Sequence, residues 1–473
     1  MAFSSTTGWG VDPSAGSDAF GGGFDPASSG TNYANQSSPQ VTYTDLVIDA
    51  STSTKITSAG NPFTSLHVGN IINITSGTGF TVQRVQVVSV AAGVATCDKS
   101  VGSTSSSGGH GVLGGSLQTI TEAQTLSVAG NTINIKSSAT ITLTTGLTVP
   151  NADMFYVGYA STWGDYGTKP LITTATNSTN IFTDTAVSAA NTSLINLSLS
   201  TTAGTPGYGV VAISRVWTGL TISHCKFSGF NVAIFGDDGV VTDYINNCSV
   251  YASEFTSITT TVFGCTVCAF GCYLHSSSAA DGYAVAHSVE TSQVTQIIRC
   301  IINGLNHGIN SNIAGGSAVQ IYECTIYGCA SDGILASGTF HSYALAIVNN
   351  ILYSNGGYGV NASSSNAELY PAVNFNNAYG ANTSGARNGL PAGTNDVALS
   401  ANPFTNASSG DFSLNSTSGG GAACKGAGFP GVFPAGTSTG NNDIGAVQSA
   451  GGGGGTTIYV VNQNTTRFIQ EGA

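Results

Sequence analysis

The sequence predicts an all-β fold whose main body is a right-handed parallel β-helix, a solenoid of stacked coils. Between residues 220 and 360 one short pattern recurs six times, with Cys or Asn two residues before a large apolar residue. A second apolar residue follows nine or ten residues after each Cys or Asn. Only 7% of the residues are charged and 63 are glycine, a composition that favours short strands and tight turns over helices.

Each copy of the repeat carries two marked positions, the Cys or Asn residue (the first mark) and the apolar residue nine or ten positions later (the second mark). The first marks are Cys225, Cys248, Cys265, Cys300, Cys324 and Asn350. The second marks are Ile234, Ile258, Leu274, Ile309, Ile334 and Val360. Copies start 23, 17, 35, 24 and 26 residues apart, and a period of about 20 to 30 residues is typical of a solenoid. The two irregular intervals predict a short coil and a coil with an inserted loop at 275–294.

Five of the ten cysteines share the first mark, and stacked small apolar side chains in the core explain that placement without any disulfide. We therefore expect a ladder of reduced cysteines. The run Cys265, Cys268, Cys272 and His275 has the spacing of a zinc site. Cys265 already belongs to the ladder, and strand alternation puts Cys268 on the opposite face. We expect no metal and no cofactor.

The N-terminal part divides into three segments. Residues 1–40 are rich in Gly, Ser, Ala and Asn, which predicts an extended arm that borrows partner surface if it is ordered. Residues 41–101 contain longer alternating strands separated by Gly and Asn turns, as in a small antiparallel β-barrel or sandwich. Residues 102–116 are rich in Ser and Gly, which indicates a linker.

The β-helix is predicted to occupy residues 117–448. It begins with the best helix candidate of the chain, residues 117–128, which would cover the exposed strand edges of the first coil. After it, residues 449–455 form a glycine tether.

Residues 456–473 alternate apolar and polar side chains, as a single strand or hairpin does. Because isolated strands are unstable in water, we expect this segment to dock on a neighbouring subunit or another protein. The alternative is a disordered terminus. The predicted docking residues are Ile458, Tyr459, Val460, Val461, Phe468 and Ile469.

Segments at both ends of the predicted β-helix resemble a known family. The runs A-G-N-T-I-N-I-K-S at 129–137, L-T-V-P-N at 147–151 and V-G-Y at 157–159 are similar to the first coils of pectate-lyase-like β-helix proteins. The segments at 402–415, 426–431 and 443–447 resemble the closing segments of that family. The resemblance covers roughly residues 117–448 and implies the fold. The same scaffold carries lyases, hydrolases, adhesins and phage tailspikes.

The arm and the domain at 41–101 also resemble, more weakly, the front of β-helix proteins encoded by tailed-phage genomes. This resemblance implies a virion protein whose partners are other virion proteins and further copies of itself, for example in a trimer. The start at Met1 without a basic or apolar leader fits a product released by cell lysis. We expect the protein in the extracellular particle.

Charge and hydropathy exclude two classes of partner. The formal net charge is −12, and the eleven basic residues are scattered singly, so the basic surface that nucleic acids require is missing. No run of eighteen apolar residues occurs, which argues against a membrane span.

Enzymes on this scaffold need acidic residues on neighbouring coils. The acids of the repeat region do not share a position in the repeat. Asp237 and Asp238 in F-G-D-D-G, with His307 before Gly308, resemble the polygalacturonase branch, but its Asn-x-Asp strand and Arg-x-Lys motif are missing. G-D-D-G also suits a turn. These three are the candidate catalytic residues if the protein is an enzyme.

Other polar residues of the repeat region are expected to have no catalytic role. Arg215, Lys226 and Arg299 are single charges, as expected of solvated surface. His224 and His307 are expected to point outward at coil corners.

Aromatic residues indicate a different kind of site, since carbohydrate binding needs exposed rings with a few hydrogen-bonding groups. The available rings are Trp163, Tyr166, Trp217, Tyr251, Tyr273, Tyr283, Tyr322, Tyr327, Tyr343 and Tyr353. Tyr327 and Tyr353 would serve equally well as packed corner residues.

Two functions follow from these observations. We expect a non-enzymatic virion protein, a capsid decoration, appendage, tail fibre or spike that presents a rigid β-helix and has a host-surface polysaccharide as a further ligand. The alternative is a polysaccharide lyase or glycoside hydrolase, a tailspike depolymerase with its site in a groove on the β-helix.

Overall fold

The computed structural model describes residues 3–184, 190–212, 217–236, 245–276, 283–285, 294–311, 318–336, 345–362, 373–429 and 442–448. It is nearly all β, with 44% strand and 5% helix, which confirms the predicted fold class. It contains a parallel β-solenoid of about seven turns and a closed antiparallel barrel of six strands. The chain divides into two compact units, Met1–Cys268 and Ala269–Ala473.

The barrel confirms the antiparallel domain predicted after residue 41. Its strands are Val41–Ile48, Lys55–Thr57, Ile71–Ser76, Gln83–Ala91, Val94–Cys97 and Gly109–Leu113, with a short 3-10 helix at Ser65–His67. Alternating apolar side chains fill the interior, among them Tyr43, Leu46, Ile72, Val85 and Leu113.

The last barrel strand, Gly109–Leu113, corrects the linker predicted at 102–116. It pairs with both Val41–Ile48 and Ile71–Ser76 and so closes the barrel. A Cβ atom at Gly109 would lie 2.4 Å from the Phe80 ring. Gly109 therefore leaves room for Phe80, which packs against the barrel core, and the same glycine makes the strand resemble a linker in the sequence.

Residues 3–40 correct the extended arm that we expected to borrow partner surface. Gly8–Val11 pairs in parallel with Thr132–Lys136, the first strand of the solenoid, and antiparallel with Gly23–Phe24. Trp9 is fully buried, and its Nε1 donates a hydrogen bond to Asn131 Oδ1 at 3.0 Å. The N-terminal segment therefore covers the open edge of the first coil, where backbone hydrogen bonds offset the cost of ordering it.

The helix predicted over 117–128 is present as Ile120–Leu126, capped by Thr119, whose hydroxyl accepts a hydrogen bond from the backbone N–H of Glu122. Gln124 Nε2 donates to Tyr156 Oη at 2.8 Å, which packs the helix on the first coils. Arg84 of the barrel pairs with Glu122 at 2.8 Å. The helix thus connects the barrel to the solenoid within the first unit.

Three parallel sheets form the solenoid of the first unit. After Gly8–Val11, the first sheet contains Thr132–Lys136, Phe155–Tyr159, Ser193–Ile195, Thr221–Ser223 and Cys248–Tyr251. The second contains Ile141–Leu143, Leu171–Thr174, Ser198–Thr201, Lys226–Ser228 and Glu254–Thr256. The third contains Leu147–Thr148, Phe182–Asp184, Tyr208–Ala212, Val232–Phe235 and Thr261–Gly264, and a separate pair joins Trp217–Thr218 to Ile245–Asn246.

The second unit repeats this arrangement. Its first sheet contains Val294–Ile298, Ala318–Tyr322, Leu345–Val348 and Val373–Phe375. Its second contains Tyr273–His275, Ile301–Asn303, Thr325–Tyr327, Ile351–Tyr353, Ala378–Gly380 and Val397–Ala398. Its third contains Ile309–Ser311, Ile334–Ala336, Tyr358–Asn361 and Gly385–Asn388.

The remaining elements are short. A hairpin of Phe404–Asn406 and Asp411–Leu414, joined by the 3-10 helix Ala407–Ser409, precedes the helix Gly421–Cys424. Two further strands are Val267–Phe270 and Tyr283–Val285. Most of the predicted loop at 275–294 lies outside the described residues, as do the glycine tether and the C-terminal segment 456–473.

The corner between the first and second sheets accounts for the repeat. At each such corner a residue with φ between 44° and 63° precedes an inward-facing residue. The pairs are Asn196–Leu197, His224–Cys225 and Ala252–Ser253 in the first unit, and Gly271–Cys272, Arg299–Cys300, Glu323–Cys324, Asn349–Asn350 and Asn376–Asn377 in the second. We call the inward-facing members the corner ladder.

Two of the six predicted repeat positions are wrong. Cys225, Cys300, Cys324 and Asn350 belong to the corner ladder, but Cys248 begins a strand of the first sheet, and Cys265 precedes Val267–Phe270. Ser253 and Cys272 occupy the ladder instead. The Ser253 hydroxyl donates to Tyr251 O at 2.8 Å and accepts from Cys225 N at 3.1 Å, so a serine can take a buried cysteine position.

Candidate functional site

His307 lies next to Asp332 in the second unit. His307 Nδ1 is 3.8 Å from Asp332 Oδ2 and accepts a hydrogen bond from the backbone N–H of Asp332 at 3.3 Å. Burial lowers the pKa of His307, although the charge of Asp332 acts in the opposite direction. The imidazole is therefore neutral at pH 7 and serves as a hydrogen-bond acceptor.

Both oxygens of the Asp332 carboxylate accept hydrogen bonds from the following coil. Oδ1 accepts a hydrogen bond from Tyr358 N at 2.7 Å, and Oδ2 accepts one from Asn361 Nδ2 at 3.0 Å. A Cβ at Gly357 would lie 2.2 Å from Asp332 Oδ1, so the backbone itself closes over the carboxylate. These contacts hold one coil on the next, which favours a structural role over proton transfer to a substrate.

Some of the candidates named from the sequence lie outside the described residues. They are Arg215, Asp237 and Asp238, and the predicted docking residues Ile458, Tyr459, Val460, Val461, Phe468 and Ile469. In the part of the chain that the structure describes, no group of three or more His, Cys, Asp or Glu side chains could hold a metal ion.

The expectation that Lys226 and Arg299 are single solvated charges is wrong. Lys226 Nζ lies 3.0 Å from Glu254 Oε1, and Arg299 Nε donates to Glu323 Oε2. The acids stand 28 and 24 residues further along the chain, one coil away, where neighbours in sequence do not reveal them.

The corners of the second unit hold the closing segment of the chain. Asn442 Nδ2 donates to Glu323 Oε1 at 3.2 Å. Asn349 Oδ1 accepts from Phe429 N at 2.8 Å, and the Asn349 backbone carbonyl accepts from Gly445 N at 2.8 Å. The polar corner residues of this unit therefore bind the chain itself.

Two of the aromatic residues considered for carbohydrate binding are half-buried and packed against a hairpin. The rings of Tyr327 and Tyr353 are parallel, with centroids 6.4 Å apart. Phe404 and Phe412 of the hairpin each lie edge-on to Tyr327 at 5.6 Å. The hairpin thus converts these tyrosines into a packed cluster. Trp217 is fully buried.

Tyr166 has the opposite environment. Its side chain is 58% exposed, and its ring lies nearly parallel to the imidazole of His224, with centroids 6.2 Å apart and an angle of 14° between the planes. His224 stands at a coil corner, as expected from the sequence, with φ of 54°. The pairing with Tyr166 has no signal in the sequence.

The fold defines a class, a parallel β-solenoid joined to a small antiparallel barrel. No protein-family model matches the chain, and no curated protein is significantly similar to it. Among the described helices, none is long and apolar enough to cross a membrane.

Proposed function

We propose that this protein is a non-enzymatic structural component of a tailed-phage virion that presents a rigid β-helix and binds a surface polysaccharide. The observation that carries the proposal is that acidic side chains of the repeat region bind other parts of the chain. The Asp332 carboxylate binds the following coil, and the Glu323 carboxylate binds the closing segment of the chain. Such contacts are what a rigid scaffold requires. Buried polar groups that are satisfied in this way stabilise one arrangement of the coils.

Residues 402–415 and 443–447, which resemble the closing segments of pectate-lyase-like proteins, support the β-helix part of this proposal. In the second unit these residues close the solenoid, since Ile444, Phe404 and Phe412 are buried in one cluster. The partners we propose are other virion proteins and further copies of the chain, for example in a trimer, bound through residues 456–473. We propose that the protein is located in the extracellular particle.

Proteomics of particles tests the virion assignment. Particles from a lysate of the source culture are banded in a density gradient, and each fraction is analysed by mass spectrometry. We expect peptides of this chain to peak with the major capsid protein, and a variant truncated after residue 448 to remain at the top of the gradient. Full-length chain found only in the soluble fractions would refute the assignment.

A second assay tests the absence of catalysis. The full chain is incubated with bacterial surface polysaccharides, and reducing ends and unsaturated products are followed with time. We expect binding without any release of shorter saccharides. Release that Asp237→Ala or Asp238→Ala abolishes, with the fold intact by circular dichroism, would instead establish a depolymerase.

A further inference from the structure

Tyr166 is presented by a loop of fixed shape. The Asp165 carboxylate accepts hydrogen bonds from the backbone N–H groups of Ala160, Ser161 and Thr162 and from the Ser161 hydroxyl, at 2.5 to 2.9 Å. Four hydrogen bonds to one carboxylate order the turn that precedes Tyr166. The backbone that carries the ring is therefore already ordered before a partner binds, which lowers the entropy cost of binding.

The ring lies beside a histidine that is held by its own hydrogen bonds. The backbone N–H of His224 donates to Tyr251 O at 3.1 Å, and His224 Nδ1 lies 2.7 Å from Ser223 Oγ, which fixes the imidazole. Because Tyr166 is 58% exposed beside His224, ring surface remains accessible to a ligand.

A row of hydroxyl groups lies on the second sheet beyond this corner. In register across five parallel strands are Thr142, Thr173, Ser200, Ser228 and Thr256. Burial alternates along the strands so that these residues face outward, and Ser200 Oγ donates to Thr173 Oγ1 at 2.9 Å. Neighbouring strands are about 4.8 Å apart, so the row offers a hydroxyl at nearly every sugar residue of an extended glycan.

Charge favours a neutral ligand. Lys226 and Glu254, which lie between the His224 corner and the hydroxyl row, pair at 3.0 Å and cancel each other. The net charge of −12 repels polyanions. An exposed ring that is accompanied by hydroxyl groups matches the alternating apolar and polar faces of a pyranose.

We propose that Tyr166, His224 and the hydroxyl row of the second sheet form a binding site for a neutral, pyranose-containing polysaccharide. A sugar ring stacks on Tyr166, and the chain of the glycan runs along the row. This inference rests on the polysaccharide binding included in the proposed function and assigns it to one site.

The test uses the full chain on a printed array of neutral and acidic bacterial surface polysaccharides. Calorimetry then measures the affinity for the neutral polysaccharide that gives the strongest signal. We expect Tyr166→Ala to weaken binding by about tenfold or more, and Tyr166→Phe to stay within about twofold of wild type because the flat ring remains. Tyr166→Leu, which keeps an apolar side chain without the ring, should resemble Tyr166→Ala.

Two further variants complete the design. Phe429→Ala removes another exposed aromatic side chain, in the second unit, and should leave affinity unchanged. Ser228→Glu places a carboxylate in the hydroxyl row and should weaken binding, although Tyr166 is intact.

The possible outcomes test the binding site and the proposed function separately. Wild-type binding that Tyr166→Ala and Tyr166→Leu leave unchanged overturns the site alone. If the wild-type chain binds no polysaccharide of the array, the polysaccharide binding of the proposed function fails too. A preference for acidic polysaccharides would overturn the proposal that the ligand is neutral.

Discussion

At the scale of single residues, Asp12 shows how a polar side chain fastens the N-terminal segment to the solenoid. Its carboxylate, 1% exposed, accepts hydrogen bonds from Ser37 Oγ at 2.7 Å, Ser138 Oγ at 2.5 Å and Lys136 Nζ at 3.1 Å. Burial alone would raise the pKa of Asp12, but the hydrogen bonds from Ser138, Ser37 and Lys136 outweigh it and hold the pKa well below its usual range.

Asp12→Asn should therefore destabilise the protein by about 3 kcal/mol at pH 7, because Lys136 and the serines lose a charged partner. An unfolded aspartate titrates near pH 3.9, above the native pKa of Asp12, so the unfolded chain takes up the proton first. The wild-type contribution is complete above that pH and disappears as the pH falls through and below it. Urea unfolding at several pH values measures both effects.

The matched control for Asp12 is Ser14→Ala. Ser14 is exposed, and only its backbone N–H contacts the Asp12 carboxylate. The free energy of unfolding of the Ser14→Ala variant should therefore stay within about 0.5 kcal/mol of wild type. A pH dependence that is unchanged in Asp12→Asn would contradict the assignment.

Asparagine replaces cysteine in the later coils of the corner ladder. Asn350 Oδ1 accepts from Cys324 N at 2.8 Å, while its Nδ2 donates to Ile321 O at 2.9 Å. Asn377 repeats the pattern one coil later, where its Nδ2 donates to Ile347 O at 2.8 Å. Cys324 Sγ makes the equivalent contact to Ile297 O at 3.3 Å.

Asn350→Ala should cost about 3 kcal/mol in unfolding free energy, since it leaves a buried N–H and a buried carbonyl unsatisfied. Asn350→Cys should cost less, because a thiol at this position can still donate to the preceding coil, as Cys324 does. Equal losses for the two variants in denaturant unfolding would show that volume, rather than hydrogen bonding, decides this position.

At the scale of elements, the strand Gly8–Val11 closes the first coil. A solenoid ends in unpaired strand edges, which invite aggregation unless they are covered. Here the cover comes from the chain itself, with Trp9 and Val11 buried and Asn134 Nδ2 donating to Trp9 O at 3.4 Å. The helix Ile120–Leu126 packs beside this strand and completes the cap.

Trp9→Ala should cost about 3 to 5 kcal/mol, because it empties a fully buried site and removes the hydrogen bond to Asn131. Residues 3–40 should then become sensitive to limited proteolysis before the barrel does. Leu66→Ala, at a position that is 51% exposed, serves as the control and should not change the digestion pattern. A wild-type rate of cleavage in Trp9→Ala would be evidence that the strand does not hold this segment.

At the scale of the whole molecule, the cysteines are core residues. All ten lie in described parts of the chain as thiols, and nine of them are buried, with Cys268 half-buried. Burial raises the pKa of the Cys225 and Cys329 thiols to about 12, which keeps them protonated and unreactive at neutral pH.

A water-soluble thiol reagent should therefore modify one cysteine per native chain rapidly and all ten after denaturation. Peptide mapping by mass spectrometry should place the rapid modification at Cys268. Cys268→Ser should abolish the rapid phase and leave the denatured count one lower. Rapid modification of several corner-ladder cysteines in the native protein would contradict their burial.

Much of the fold was predictable because it depends on local alternation. Five of the six barrel strands, the helix near 120 and the apolar residues of the coils follow from a period that burial on one face imposes, whereas the glycine-rich strand Gly109–Leu113 does not show it. The corner ladder was only partly predictable. Its positions depend on a left-handed backbone residue before each corner, and His224, Arg299 and Glu323 carry no common sequence mark.

The candidate site was less predictable than the fold. Exposure decides whether a tyrosine can bind a sugar, and the sequence left a sugar-binding and a packed role open for Tyr327. The hairpin Phe404–Asn406 and Asp411–Leu414 covers Tyr327, while the Asp165 turn presents Tyr166. Both outcomes depend on contacts outside the local run of sequence in which each tyrosine occurs.

By itself the sequence determined that this protein is a β-solenoid preceded by a small antiparallel domain, because the periodic burial of apolar side chains is encoded residue by residue. Only the tertiary structure decided which segments cap it, which polar residues pair and which rings remain exposed. These contacts join residues that lie far apart in the chain, as Trp9 and Asn131 do across 122 positions. The sequence around either residue does not predict such a distant partner.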